Sequence, residues 1–335
     1  MNAFLFVEVC EMKKKLMSSR IALAYLPTPL EEIKAMFVPH DLEIWFKRDD
    51  LTEFVGSGNK IRKLEYLLYE AQQNGSNTIV TCGGIQSNHC RATAFAARKL
   101  GMKPVLFLRG TKPEHAEGNL FLDELLESEI HWITPEQYQE RDRIMSEYCE
   151  NTRNPEQVYL IPEGGSNMIG SLGYMRAIDE MMQQVQLDSF DAVFCPVGSG
   201  GTYAGLLAGL KSNNVATPLI GINVTLTNPS EFTAKVKSIC DELVDNQFLK
   251  NAVDEKDITI LDGYCGEAYA VPTQKGIDYI KNCLLQTGIL LDPVYTSKSF
   301  DGLLEESKKR GFKKVLFIHT GGGFGNYAYS DRFGV

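Results

Sequence analysis

Three glycine-bearing turns, each opening a segment of helical spacing, hold the residues of this chain best equipped for chemistry. The first is Gly198-Ser199-Gly200-Gly201-Thr202. Its glycines let the backbone approach an oxyanion closely, and the free N–H groups of the helix start point at it. Ser199 and Thr202 add hydroxyl donors. No Gly-Lys-Ser/Thr follows, and the third glycine of G-x-G-x-x-G is missing, so the loop suits a phosphate group smaller than a nucleotide. A tight strand-to-helix turn without a ligand is the plainer alternative. The second turn runs Cys82-Gly83-Gly84-Ile85-Gln86-Ser87-Asn88-His89. Ser87 is a natural helix N-cap. The glycines, with Ser87, Asn88 and His89, gather donors at a positive helix end, which suits a carboxylate. His89 either titrates near neutrality or caps the turn, and spacing alone leaves both open. The third is Gly56-Ser57-Gly58-Asn59-Lys60, leading into Ile61, Leu64, Leu68 and Ala71. A lysine there is ordinarily a solvated surface residue. At a glycine-flanked helix N-terminus, however, the dipole lowers the amine's pKa and favours a Schiff-base role. Arg62 and Lys63 supply further cations beside it.

Short apolar runs and amphipathic segments alternate to position these turns. Residues 78–82 read as a buried strand, 88–100 as a helix stopped by Gly101, and 104–108 as the next strand. A second series runs 192–197 (strand), 202–211 (helix) and 219–224 (strand), with a further strand at 314–319. The strands are continuous apolar runs, as parallel strands covered on both faces should be. The fold class is therefore α/β, with sheets sandwiched by helices and ligands gathered beyond the carboxyl ends of strands. With 335 residues, two domains are expected, and no polar linker separates them, so they are expected to interleave. A 44% hydrophobic, 23% charged composition excludes a disordered or low-complexity chain. The net charge of −9 argues against nucleic acid or an anionic membrane as partner. No apolar run approaches the ~20 residues of a membrane span. The eight cysteines are scattered without a C-x-x-C pair, so neither a disulfide framework nor a metal site is expected, and a reduced cytoplasm is the simplest location. Residues 1–16 carry their basic cluster after the apolar stretch, the wrong order for a secretory signal, and read as a disordered extension.

Lys47-Arg48-Asp49-Asp50-Leu51 followed by Gly58-Asn59-Lys60-Ile61-Arg62-Lys63-Leu64-Glu65 resembles the active-site lysine segment of one group of pyridoxal-phosphate (PLP) enzymes. It is the family of 1-aminocyclopropane-1-carboxylate (ACC) deaminase and D-cysteine desulfhydrase, of fold type II (tryptophan synthase β-like). The resemblance continues in the family's order to the chain's end. It runs through Gln86-Ser87-Asn88-His89-Cys90-Arg91, Pro162-Glu163-Gly164-Gly165-Ser166-Asn167, the 198–202 loop, Leu291-Asp292-Pro293-Val294-Tyr295 and His319-Thr320-Gly321-Gly322. The resemblance implies pyridoxal 5′-phosphate lying between two open α/β domains. The large domain would comprise 1–62 and 173–335, and the small one 63–172. Lys60 would carry the cofactor and shuttle the α-proton, and Asn88 would bond the cofactor's O3′. Lys63 with Gly198, Ser199, Gly200, Gly201 and Thr202 would hold its phosphate. Thr320, helped by Thr296, would face the pyridine nitrogen. Ser87, Asn88 and His89 would receive a small amino-acid substrate. Tyr269 and Tyr295 would flank the reacting carbons, making Lys60, Ser87, Tyr269 and Tyr295 the catalytic candidates. A homodimer is also implied.

Within the family, ACC deaminases place an acid after the tyrosine matching Tyr295, an apolar residue at Thr320 and a glutamine at His89. Thr296, Thr320, His89 and the Gly-Ser-Gly-Gly-Thr loop of this chain are similar to the desulfhydrases. A hydroxyl partner leaves the pyridine nitrogen largely neutral, a weaker electron sink that suffices to expel a thiolate. The expected reaction is β-elimination of D-cysteine to pyruvate, hydrogen sulfide and ammonia. Deamination of ACC or of another D-amino acid is the alternative. A dehydratase or sulfhydrylase of the same fold would not be expected to carry Gly-Asn-Lys with Arg62-Lys63-Leu64-Glu65. A phosphate- or amino-acid-binding module with an idle Lys60 is the non-enzymatic alternative. Ala268-Tyr269-Ala270 stands where Gly-Tyr-Gly is usual, and the added methyls are expected to narrow the pocket or change the backbone angle.

Overall fold

The computed structural model describes residues 19–334, so the extension expected over 1–16 lies outside the described residues. Ten strands are described. In chain order they are β1 (Leu30–Ile33), β2 (Glu43–Arg48), β3 (Thr78–Gly84), β4 (Lys103–Arg109) and β5 (Glu129–Ile133), then β6 (Val158–Leu160), β7 (Ala192–Val197), β8 (Leu219–Asn223), β9 (Thr259–Leu261) and β10 (Lys314–His319). They form a six-stranded sheet, β1-β2-β10-β7-β8-β9, and a four-stranded sheet, β5-β4-β3-β6. Among the described strands only β1 pairs antiparallel. The strands of the second sheet fall in sequence between β2 and β7.

Burial explains the central strands. All six residues of β7 are buried. Ala192 and Phe194 face one apolar core, while Val193, Cys195 and Val197 face the other. Period-two alternation between two apolar faces is what a sheet covered by helices on both sides demands. The last strand, β10, slots between β2 and β7, with His319 opposite Arg48 and Val315 opposite Ala192. That pairing brings the carboxyl ends of β2, β10 and β7 side by side, so Thr320 and the 198–202 loop emerge together.

A buried ionic cluster ties β2 to the helices Asn59–Gln73 and Met168–Gln184. Arg62 grips Asp49 through two hydrogen bonds of 2.8 Å and donates to Glu180 at 2.9 Å. Lys47 reaches the same Glu180 at 2.5 Å, and the Tyr174 hydroxyl donates to Asp49 at 2.6 Å. Burial pushes the Glu180 carboxyl up, but Arg62 and Lys47 outweigh it and hold the group at about 2. Arg62 was expected beside Lys60. Two positions along a helix turn a side chain away, and Arg62 instead faces this cluster.

Candidate active site

A cavity of about 610 Å³ lies between the two sheets and is lined from both. The Asn59–Gln73 helix enters it from Gly58, whose φ is 99°. A Cβ at Gly58 would meet the Thr320 carbonyl oxygen at 2.7 Å, so only glycine permits this approach. The Asn59 N–H donates to that same carbonyl at 3.0 Å. Backbone contact therefore sets the start of the Lys60 helix beside Thr320, and both residues line the cavity. The Lys60 ammonium donates to the Asn59 side chain at 3.2 Å. Burial, eased by Glu163 and Asp292 and reinforced by Arg91, pulls the amine down to about 8.

Lys63, one helical turn on, is buried beneath the glycine loop. Its ammonium donates to the Gly164 carbonyl at 3.0 Å and to the Ser166 hydroxyl at 3.3 Å. Ser166 in turn meets the Ser199 hydroxyl at 2.8 Å and accepts from the Gly201 N–H at 3.3 Å. Among the described residues no carboxylate pairs with Lys63, and burial followed by the charge of Lys60 pushes its pKa well down. A buried cation without a counter-ion calls for an anion. At Gly201 a Cβ would lie 2.8 Å from the Ser166 Cα, so the loop hugs this cation only because it is glycine. The Gly201–Ser212 helix has no side-chain cap, which leaves its dipole open toward the same point. Thr202 lines the cavity and accepts from the Asn59 amide at 2.9 Å. The donor set fits the phosphate of a pyridoxal cofactor, and Lys60 lines the same cavity.

The second turn caps the Asn88–Lys99 helix. Ser87 Oγ accepts from the Cys90 N–H at 3.1 Å and keeps its own proton for donation. Asn88 Oδ1 accepts from the buried Asn119 amide at 2.9 Å, which leaves the Asn88 NH2 free to donate into the cavity. His89 resolves its ambiguity through Thr81. The Thr81 hydroxyl donates its single proton to the Ile161 carbonyl at 2.8 Å. His89 Nε2 must therefore donate to Thr81 Oγ1, 2.9 Å away. Nδ1 is then a bare lone pair, buried without a partner among the described residues. Burial, with Lys60 and Lys63 adding, drives the His89 pKa well down. The imidazole is neutral at physiological pH, so its ring cannot receive a carboxylate; only its backbone N–H can.

Tyr269 and Tyr295 share a short hydrogen bond between their hydroxyls at the cavity wall. Burial pushes the Tyr269 phenol up to about 12 and the Tyr295 phenol well above its usual value. Both stay protonated. Ala270 has φ of 62°. The alanine thus keeps the left-handed backbone that glycine would take freely, held by the Tyr329 hydroxyl, which donates to its carbonyl at 2.7 Å. Thr320 lines the cavity, but Thr296 does not: it is fully buried, and its hydroxyl donates to Asp292 at 2.7 Å. Thr296 is a helix-start residue bound to Asp292, so its expected help to Thr320 is not available. Asn119, Arg109, Tyr138 and Arg141 were missed in the sequence, and Glu163 was noted only as part of a motif without a role; the last four line the cavity. One signal was present for Arg109, the charged residue that ends an apolar run at the carboxyl end of its strand.

The family model described as "Pyridoxal-phosphate dependent enzyme" matches residues 21–321. A provisionally named 1-aminocyclopropane-1-carboxylate deaminase of Thermotoga maritima is 48% identical over 93% of this chain and 99% of its own. The mitochondrial bifunctional D-cysteine desulfhydrase/ACC deaminase of Arabidopsis thaliana is 36% identical over 95% of this chain and 82% of its own. A crystal structure of an ACC deaminase homologue superposes with a TM-score of 0.86 at 34% identity, covering 99% of both chains. The expectation of a closer kinship to the desulfhydrases is corrected here, since the 48% relative bears the deaminase name. Matched over nearly its whole described length, the chain belongs to the ACC deaminase/D-cysteine desulfhydrase family of fold type II pyridoxal 5′-phosphate enzymes.

Proposed function

We propose that this enzyme eliminates the β-substituent of a small α-amino acid, that D-cysteine is the substrate, and that with one water it yields pyruvate, ammonia and hydrogen sulfide. The observation that carries this reading is Thr320, a hydroxyl and not a carboxylate, in the wall of the cavity that Lys60 also lines. Bound pyridoxal phosphate supplies an electron sink for the substrate's α-carbon. A hydroxyl facing its ring nitrogen does not hold a proton there as a carboxylate does, which suits departure of a good β-leaving group.

The chain's own residues divide the remaining work. Lys63 and the 198–202 loop would hold the cofactor's phosphate, and the Asn88 amide, oriented by Asn119, would donate to its ring oxygen. Ser87 Oγ–H and the first N–H groups of the Asn88–Lys99 helix receive the substrate carboxylate. The Lys60 amine, neutral above about pH 8, takes the α-proton. The Tyr269–Tyr295 pair keeps one phenolic proton unshared, ready for the departing group. The four-stranded unit, with bounds proposed at 63–172, carries the carboxylate turn and would exclude water by closing on Lys60. A homodimer forms part of the same reading.

A second reading, deamination of ACC, draws stronger support from the relatives' names: the 48% relative is named for it, and the bifunctional one for both activities. The holoenzyme should be given D-cysteine, L-cysteine, β-chloro-D-alanine and ACC, with sulfide, ammonia and 2-oxo acid measured. Faster turnover of D-cysteine is expected. Faster turnover of ACC would replace the first reading with the second.

A further inference from the structure

Arg91 lies fully buried on the Asn88–Lys99 helix, one turn past Asn88, and its guanidinium donates to three neutral oxygens. Nη1 donates to the Val55 carbonyl, and Nη2 to the Ser57 carbonyl at 3.0 Å. Both carbonyls belong to the turn that leads into Lys60, so the guanidinium is anchored on that turn. The Phe324 ring covers it, with its centroid 5.2 Å from the guanidinium carbon. The remaining donor, Nε, points to Asn119 Oδ1 at 3.0 Å.

That contact decides which way the Asn119 amide faces. A guanidinium only donates, so the amide oxygen must lie toward Arg91. On the other side Asn119 Nδ2 donates to the Gln86 carbonyl at 3.1 Å, a group that only accepts, and to Asn88 Oδ1 at 2.9 Å. The Asn119 backbone N–H donates to the Gln86 side chain at 2.9 Å and holds the residue in place. With its oxygen engaged, Asn88 turns its NH2 away from Asn119. Asn88 Nδ2 lies 3.0 Å from where a Cβ of Gly322 would be, so the absent side chain makes room for it. We infer that Arg91 is a positioning residue. Through Asn119 it sets the polarity of the Asn88 amide, so that a donor and not an acceptor is presented to the cofactor's ring oxygen. An asparagine without this chain could offer either end of its amide; here the choice is made before the cofactor arrives. The inference rests on the reading that Asn88 meets that oxygen, and it adds the residue that acts through Asn88.

A hydrogen bond donated to the ring oxygen favours its anionic form, which lowers the pH at which the bound cofactor's absorbance changes. The holoenzyme and its variants should be titrated with pH by absorbance. Asn88→Ala sets the scale, with an expected rise in the midpoint of about one pH unit. Arg91→Lys keeps the charge but cannot serve all three oxygens, and Asn119→Leu removes the amide while leaving Arg91 in place. Each is expected to raise the midpoint by about half a unit. Neither should raise it further when combined with Asn88→Ala, because both act through that amide. A midpoint unmoved by both substitutions would overturn the inference, since Arg91 would then serve packing alone. So would a shift that persists in the Asn88→Ala background, which would reach the cofactor by another route. If Asn88→Ala itself leaves the midpoint in place, Asn88 does not meet the ring oxygen, and the underlying reading falls together with this one.

Discussion

Burial lowers the Lys60 amine to about 8 against the opposing charges of Glu163 and Asp292. For a lysine that shift enlarges the neutral fraction, which rises about tenfold per pH unit below the pKa and saturates above it. Capture of the cofactor aldehyde needs the neutral amine. The initial rate of pyridoxal phosphate uptake by cofactor-stripped protein should therefore climb toward about pH 8 and then level off. An absorbance-monitored rate already flat well below that pH would show an amine that is not the one seen here. Residue types and spacing set Lys60, Asn88 and the glycine loop at turns that open helices, and the structure brings those turns to one cavity. The His89 tautomer was not legible. It depends on a proton that Thr81 sends to Ile161, and both residues reach His89 from other segments.

At the scale of elements, the strands read from sequence are those buried on both faces. The run at 192–197 is β7, and the run at 314–319 is β10. The strands missed at the sheet edges, β1, β5, β6 and β9, have half-exposed residues or span as few as three, so no continuous apolar run marks them. Central β2 was missed for another reason: Lys47 breaks its apolar pattern and is buried only because Glu180, Gln184 and the Thr28 carbonyl receive its ammonium. The tyrosine turn shows a departure from family pattern absorbed as strain, with Ala270 at a φ of 62°. Ala270→Gly should relieve it and raise unfolding stability by about 1 kcal/mol. Urea denaturation of both proteins measures this, and a destabilised variant would mean that the alanine methyl makes contacts worth more than the strain.

For the whole molecule, the Arg62–Asp49–Glu180–Lys47 cluster joins the sheet to the helix that presents Lys60. Removing the Glu180 charge leaves Arg62 and Lys47 buried with one counter-ion fewer, and Glu180→Gln should cost about 3 kcal/mol at neutral pH. The Glu180 carboxyl is lowered from its usual 4.5 to about 2, so its contribution is complete above 4.5 and fades as pH falls toward 2. The gap between the two proteins in denaturant midpoint should accordingly narrow on acidification, and a constant gap would contradict the pairing. This cluster was not legible in the sequence, since Glu180 lies more than a hundred residues from Arg62 and Lys47. The proposed chemistry depends on a covalent anchor at Lys60. The holoenzyme should be reduced with borohydride, digested and mapped by mass spectrometry. The reduced pyridoxyl group is predicted on the peptide bearing Lys60, and its recovery on Lys63 or on another lysine, or on none, would contradict the assignment.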